Sequence, residues 1–180
     1  MHSDPAPGAP PERPAGPAYI RVRGVEDTTA FHADIRRLYD YWRAIAPAGR
    51  LPGRIHFDPL DIPGLLPRIW LLEVHRAPEF QRGLRFRFRV AGTFIAQFQG
   101  FDPTGQWYDE AFTGRPIGGV LERFGIAAEE GIPVWRRGNA AVAPGAEWRT
   151  IETLALPLAG DGATVDMILG ATVVHPVGTG

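Results

Sequence analysis

Large apolar side chains alternate with arginines between residues 84 and 90 of the chain. This two-residue period predicts an extended strand, because successive side chains of a strand point to opposite faces of its sheet. One face of the strand carries Leu84, Phe86, Phe88 and Val90. The other face carries Arg85, Arg87 and Arg89. Such alternation is typical of an antiparallel sheet that is covered on one side and meets water on the other.

A helical period precedes this strand, from Asp27 to about Ala46. Its apolar residues recur every three or four positions, which predicts an amphipathic helix with Asp27 as its cap and Pro47 after its end. The apolar stripe consists of Phe31, Ile35, Leu38, Trp42 and Ile45. This stripe can pack on the protein's own sheet or form the seam of a dimer. Both arrangements bury the same face, so the sequence leaves both open.

Prolines and glycines divide the rest of the chain into short elements. Four more strands are predicted at residues 69–75, 133–142, 148–158 and 165–175, and two helices at residues 93–100 and 116–130. The domain plan is then a disordered proline-rich tail over residues 1–18, a helix and connector over residues 19–68, and a folded core over residues 69–176.

The composition excludes several classes of chemistry. With 19 basic and 20 acidic residues, the chain gives no argument for a nucleic-acid partner or an anionic membrane. The absence of cysteine excludes disulfides, thiolate catalysis, thiolate zinc sites and flavin–cysteine adducts. No apolar run approaches the roughly 18 residues of a membrane helix, and the amino terminus lacks the apolar core of a signal peptide. We therefore expect a cytoplasmic protein.

Every basic residue is an arginine, and glycine and proline are abundant. This usage indicates the coding bias of a GC-rich bacterial genome, so clustered arginines carry less functional weight here than in a chain that also uses lysine. In the connector, His56, Asp58 and Asp61 have the donor atoms of a metal site. Because Asp58 followed by Pro59 is a good helix start, we assign them capping and turn roles and predict no metal site.

A series of short motifs supports a similarity that covers most of the chain, roughly from Tyr39 to Val174. The motifs are Leu38-Tyr39-Asp40-Tyr41-Trp42, Leu51-Pro52-Gly53-Arg54 with Asp58-Pro59, Leu65-Leu66-Pro67, Leu71-Leu72-Glu73-Val74, Phe88-Arg89-Val90-Ala91-Gly92-Thr93, Phe101-Asp102-Pro103-Thr104-Gly105 and Trp107. In this order they resemble a stand-alone PAS family that is found mainly in alphaproteobacteria.

The resemblance implies an α+β fold with a five-stranded antiparallel sheet, short helices across one face and an amino-terminal helix. Counted along the chain, the five core strands are expected in the order 2-1-5-4-3. The resemblance also implies a sensor or adaptor in bacterial signal transduction, which binds a small apolar ligand or a protein partner, frequently as a dimer. It implies no catalytic residue.

In the PAS fold a pocket lies between the inner face of the sheet and the helices. We expect its apolar lining to consist of Phe86, Phe88, Phe94, Phe98, Trp107, Trp135, Leu154 and Leu156. The polar candidates are Thr93, Gln97, Tyr108 and Asn139. The alternative is that these aromatic residues form a filled core without a cavity.

No cofactor is identifiable from the sequence. Haem-binding PAS domains commonly supply a histidine from the long helix before the third strand, and residues 116–131 contain no histidine, which argues against haem. Cysteine-adduct flavin chemistry is excluded by composition.

Three alternatives to a ligand sensor remain open at this stage. Arg85, Arg87 and Arg89 can dock an acidic partner or form a solvated, salt-bridged face. A small isomerase or hydrolase on a cone-shaped α+β scaffold would need an acid such as Glu152 buried beside Tyr108. A purely structural module would dimerise through the stripe of the amino-terminal helix.

Overall fold

The computed structural model describes residues 18–21 and 28–176 of the chain. Within these residues, six strands form one antiparallel sheet: β1 (Ala18–Arg21), β2 (Ile69–Arg76), β3 (Leu84–Ala91), β4 (Val134–Asn139), β5 (Thr150–Leu158) and β6 (Met167–Val174). The helices are α1 (Ala33–Ala44), α2 (Thr93–Gln99), α3 (Tyr108–Ala111) and α4 (Gly118–Glu130). Short 3-10 turns lie at Arg54–His56, Pro59–Asp61, Pro63–Arg68 and Gln81–Gly83.

The strands lie in the order β1-β4-β5-β6-β2-β3. The five predicted core strands are β2 to β6, and their order confirms the expected 2-1-5-4-3 arrangement. β1 is a further strand that extends the sheet beside β4, with Ala18 opposite Arg137 and Arg21 opposite Val134. Four residues next to a proline-rich segment carry too short a pattern to predict a strand. The remainder of the predicted tail, residues 1–17, lies outside the described residues.

The amino-terminal helix is shorter than its apolar period indicated. α1 begins at Ala33, with the ring Nδ1 of His32 accepting a hydrogen bond from the Asp34 backbone N–H at 3.1 Å as its cap. Asp27, the predicted cap, lies outside the described residues. Phe31 precedes the helix and lies in a turn, in which its backbone N–H donates a hydrogen bond to the carbonyl of Thr28. The segment before Ala33 is therefore a turn at the point where helix was predicted.

α1 packs across β5 and β6 of its own sheet. Ile35 and Leu38 are completely buried there, and the indole Nε1–H of Trp42 donates to the carbonyl of Pro157 at 2.9 Å. Of the two arrangements that the sequence left open for the apolar stripe, packing on the chain's own sheet is the one observed. Phe31, Ile35, Leu38 and Trp42 are buried within one chain and Ile45 is half-buried. The expectation that only one side of the sheet is covered is also wrong, because α1 covers β5 and β6 on the second side.

The two faces of the sheet bury two separate apolar clusters. Under α1 and the connector lie Leu154, Leu156, Leu158, Leu169, Ala171 and Val173. On the opposite face, α2, α3 and α4 cover Trp70, Leu72, Phe86, Phe88, Ala155 and Ile168. The central strands therefore have apolar residues on both sides and lack a polar face.

A β-bulge in β3 changes one predicted face. Leu71 lies opposite Val90 and Leu72 lies opposite Phe88, so Arg89 is an extra residue in β3. The bulge shifts the alternation by one position, and Val90 is 46% exposed instead of facing the core. Phe86 and Phe88, which precede the bulge, are buried as predicted.

Gly92 joins β3 to α2 where the chain passes very close to the connector. A Cβ at this position would lie 2.3 Å from the carbonyl oxygens of both Leu66 and Pro67. These carbonyls belong to the connector turn Pro63–Arg68. The absence of a side chain at residue 92 therefore allows α2 and the connector to meet at the end of the sheet.

Candidate functional site

A cavity of about 180 Å³ lies between the sheet and the helices α2, α3 and α4. Most of its wall is apolar, and the larger contributions come from Trp70, Phe88, Ile95, Phe112, Val120 and Phe124. Smaller side chains complete the wall on the sheet, among them Ala155 and Thr153 of β5. The helical face of the sheet is thus incompletely filled.

The indole of Trp70 forms one wall of the cavity because β6 has no side chain at Gly170. A Cβ on Gly170 would lie 2.1 Å from the indole ring. The ring Nε1–H donates to Thr172 Oγ1 at 3.0 Å, and the ring packs against Phe124 with their centroids 5.4 Å apart. The glycine, the threonine hydroxyl and the neighbouring ring together fix the position of the indole.

Tyr108, the first residue of α3, closes the cavity on the helical side. Its ring stacks on Phe88 with their centroids 5.3 Å apart, and contacts Phe112 at 4.7 Å and Phe124 at 5.1 Å. Burial raises the pKa of the Tyr108 phenol above its ordinary value. The phenol is therefore protonated at neutral pH and can donate a hydrogen bond.

Arg136 brings a guanidinium group to the cavity from β4. It lies opposite Thr153 of β5, lines the cavity and is only 7% exposed. Its Nη2 donates to the backbone carbonyl of Asn139 at 2.6 Å, whereas its Nε–H is buried without a hydrogen-bond partner. Desolvation lowers the pKa of Arg136 below its ordinary value. A buried cation with an unused donor is energetically costly, since it has lost its water and gained little in exchange.

The charged residues in the described wall of the cavity are arginines. Arg123 also lines it, and no aspartate or glutamate is found among the described residues of its wall. Arg115 lies close enough to act electrostatically on Tyr108, together with Arg123 and Arg136. Unlike Arg136, Arg115 is used structurally, because it packs over Phe112 and donates to the carbonyl of Val142.

Four of the predicted pocket residues line the cavity, namely Phe88, Phe98, Tyr108 and Asn139. Phe86 is buried against Phe124, Phe94 stacks on Phe98 beneath Arg68, and Trp107 lies under Arg85. Thr93 and Gln97 are exposed on α2 and do not reach the cavity.

The placement of Trp135, Leu154 and Leu156 in the pocket is wrong. All three lie on the opposite face of the sheet, in the cluster under α1. Their neighbours Arg136, Thr153 and Ala155 line the cavity instead. Since β5 buries apolar residues on both faces, its pattern contains no signal for the face that meets the cavity. Arg136 was missed because nothing in the sequence distinguishes it from the other arginines.

Glu152 lies on the face under α1 and not beside Tyr108. It is completely buried, and its Oε1 accepts hydrogen bonds from the His32 backbone N–H and from Trp135 Nε1–H, both at 2.8 Å. Its Oε2 pairs with His175 Nε2 at 3.0 Å. This carboxylate joins the start of α1 to β4 and to the end of β6. The arrangement that would favour an enzyme, an acid beside Tyr108 in the cavity, is therefore not the one observed.

The arginines of β3 differ in their surroundings. Arg85 packs over Trp107 at 4.3 Å and pairs with Asp109 and Glu110. Arg87 donates to the carbonyl of Gly105 at 2.9 Å, and Arg89 is exposed. Arg85 and Arg87 thus help to hold α3 and the segment before it against β3.

A second, larger depression of about 630 Å³ lies between the β2–β3 turn and α4. Its wall contains the carboxylates Glu79, Asp109, Glu122 and Glu129. The part of the chain that the structure describes contains no group of three or more residues able to hold a metal ion. In the connector, His56 Nδ1 accepts from Gly53 N–H, and Asp58 accepts from Leu60 N–H.

Residues 30–173 match the family model described as PAS domain. The chain belongs to the PAS domain family. The motif resemblance noted in the sequence is thus confirmed, and the PAS domain is a module of the sensor or signalling type.

The PAS domain is similar to the solved "Structure of an RNA-binding Light-Oxygen-Voltage Receptor", with a TM-score of 0.43 and 17% identity. The match covers 94% of this chain and 40% of that chain, so this chain spans less than half the length of that protein. No curated protein matches the chain significantly. Among the described residues, no helix has the length and apolar character needed to cross a membrane.

Proposed function

We propose that this PAS domain is a sensor that binds a small organic molecule in the cavity between its sheet and α2–α4. The observation that carries the proposal is the cavity itself, which combines an apolar wall with the buried and incompletely bonded guanidinium of Arg136. Small-molecule sites in proteins commonly have a mainly apolar lining and a few polar groups that orient the ligand.

The volume of the cavity limits the size of the ligand. At about 180 Å³, it is similar to an engineered apolar cavity of about 150 Å³ that binds benzene. A molecule with one aromatic ring or a short aliphatic chain fits this volume. A larger metabolite would fit only if the helices moved outward.

The helices that cover the cavity would transmit the signal. Ile95 of α2, Tyr108 of α3 and Phe124 of α4 all contact the cavity, so an occupant touches each helix. Occupancy would favour the packing of these helices that fits the ligand, and a partner protein would read the altered outer surface.

A thermal-shift screen of the purified chain against fractions of a bacterial metabolite extract tests the proposal. The cavity-filling variant Ala155→Leu places a larger side chain in the site, and Ala163→Leu makes the same change at an exposed position. We expect an active fraction to raise the melting temperature of the wild type and of Ala163→Leu, but not of Ala155→Leu. Stabilisation of all three proteins alike, or of none by any fraction, would contradict ligand sensing.

A further inference from the structure

We infer that the sensed molecule is a small organic monocarboxylate, with an aromatic or short aliphatic body in the cavity and its carboxylate on Arg136. This inference rests on the proposed function and specifies the chemical class of the ligand. It depends on four observations: the burial of Arg136, its unused donor, the charge of the cavity wall and the cavity volume.

Within the described part of the chain, Arg136 has no ionic partner. No carboxylate of the described residues pairs with it, and its one hydrogen bond goes to the neutral backbone carbonyl of Asn139. A guanidinium has five N–H donors in a planar fork that matches the two oxygens of a carboxylate. A bound carboxylate would supply both the missing charge and an acceptor for the buried Nε–H.

Two other arginines have a buried Nε–H without a hydrogen bond, and neither has these surroundings. Arg68 is close to the carboxylate of Asp34, with 3.7 Å between Nε and Oδ2, and packs over Phe94. Arg149 packs over Trp148. Neither of them lines the cavity. Arg136 alone of the three combines the unused donor with a place in the cavity wall.

The rest of the wall favours one negative charge on an otherwise apolar molecule. The lining includes the guanidinium of Arg123, no acidic side chain is found among the described residues of the wall, and most of the surface is aromatic or aliphatic. The Tyr108 phenol and the Thr153 hydroxyl can donate further hydrogen bonds to an anion. A neutral molecule of the same shape would leave the guanidinium as poorly bonded as before.

The volume of the cavity limits the apolar part of the ligand to about the size of one ring. Benzene fits an engineered cavity of about 150 Å³, and this cavity measures about 180 Å³. Benzoate and hexanoate are therefore suitable probes. Their amides, benzamide and hexanamide, have nearly the same shape without the charge.

Titration calorimetry of the full chain with these four probes tests the inference. The variants are Arg136→Met, which keeps an unbranched but shorter apolar side chain and removes the charge, and Arg137→Met as the matched control. Arg137 is the next residue of the same strand, exposed and on the other face. Thermal melting of each variant without a probe reports whether it is folded, and Arg136→Lys is the second variant at the same position.

We expect the wild type and Arg137→Met to bind at least one of the acids roughly 10- to 100-fold more tightly than its amide, the usual effect of a hydrogen bond to a charged group. Arg136→Met should lose this preference while retaining the weak binding of the amide. Arg136→Lys should retain part of the preference, because an ammonium group keeps the charge without the planar fork.

Three results would overturn the inference. If the wild type binds acid and amide equally, the cavity binds ligands and the proposed function stands, but Arg136 does not select an anion. If neither acid binds while an extract fraction still stabilises the wild type and not Ala155→Leu, the sensor function stands with a ligand of another class. If no probe and no fraction binds, both the inference and the proposed function are wrong.

Discussion

Among the described residues, each face of the sheet buries one charged side chain, and these two side chains differ in how completely they are hydrogen-bonded. Glu152 of β5, under α1, is completely buried and is bonded to His32, Trp135 and His175. Arg136 of β4, under α2–α4, is almost as deeply buried but has one hydrogen bond and an unused donor beside a cavity. The two residues lie one position apart in register, since Arg137 is opposite Glu152 and Arg136 is opposite Thr153.

The difference separates a structural charge from one that is available for binding. The Glu152 carboxylate replaces its lost water with three donors from three parts of the chain, so it holds the α1 layer on the sheet. The guanidinium of Arg136 has no such replacement within the described residues. On this comparison the face under α1 supports the fold of the PAS domain, and the face under α2–α4 is the binding side that we propose.

The largest effect is expected from Glu152→Ala. Removal of the carboxylate leaves the donors of His32 and Trp135 buried without partners, and we expect the free energy of unfolding to fall by roughly 3–5 kcal/mol. Urea unfolding of this variant, beside the exposed control Glu147→Ala, measures the loss. A loss below about 1 kcal/mol would show that the network is not what holds the α1 layer.

The next largest effects are expected from two truncations in β5, one on each face of the sheet. Leu156→Ala removes a completely buried side chain from the filled face, and we expect a loss of about 2–5 kcal/mol. Ile151→Ala removes a side chain that already borders the cavity, so it loses fewer contacts and should cost about half as much. Equal losses in urea unfolding would mean that the two faces are equally well packed.

Gly170→Ala should have a smaller effect that is confined to the cavity side. The new methyl group must displace the indole of Trp70 and its bond to Thr172, which we expect to cost about 1–3 kcal/mol. Gly125→Ala in α4 is the control, because its Cβ would meet no atom within 4 Å and should stabilise the helix by up to about 1 kcal/mol. Opposite signs in thermal unfolding are the expected result, and a neutral Gly170→Ala would contradict the described position of the indole.

The smallest effect is expected from Arg136→Met without any ligand. An unbranched apolar side chain avoids the burial of a charge, so stability should stay constant or rise by about 1 kcal/mol. Urea unfolding beside Arg137→Met measures the change. A loss as large as that of Glu152→Ala would show that Arg136 also has a structural role, and the contrast between the two faces would disappear.

The sequence predicted the strands better than the faces they present. The arginine alternation identified β3, and Phe86 and Phe88 are buried as that pattern required. The same alternation was wrong for Val90, because a bulge at Arg89 leaves no mark in a pattern of apolar and charged residues. In β5 the pattern predicted a strand but did not show which face of the sheet Leu154 and Leu156 occupy, since both sides of that strand are apolar.

The candidate site was predictable only in part, for a related reason. Phe88, Phe98 and Tyr108 could be assigned to the cavity wall because the order of strands and helices places them between the sheet and its helices. Arg136 could not, because its importance comes from burial and from a missing partner, which are properties of the packed structure. The structural role of Glu152 likewise depends on His32 and His175, which lie 120 and 23 residues away along the chain.

Gly92 has a consequence for any motion that begins at the ligand side. At this residue only hydrogen atoms separate the start of α2 from the backbone of Leu66 and Pro67. An outward push on α2 would therefore bear directly on the peptide carbonyls of the connector, with no side chain between them to absorb the displacement. The lack of a side chain at Gly92 thus places α2, on one face of the sheet, in direct backbone contact with the connector, which packs on the other face.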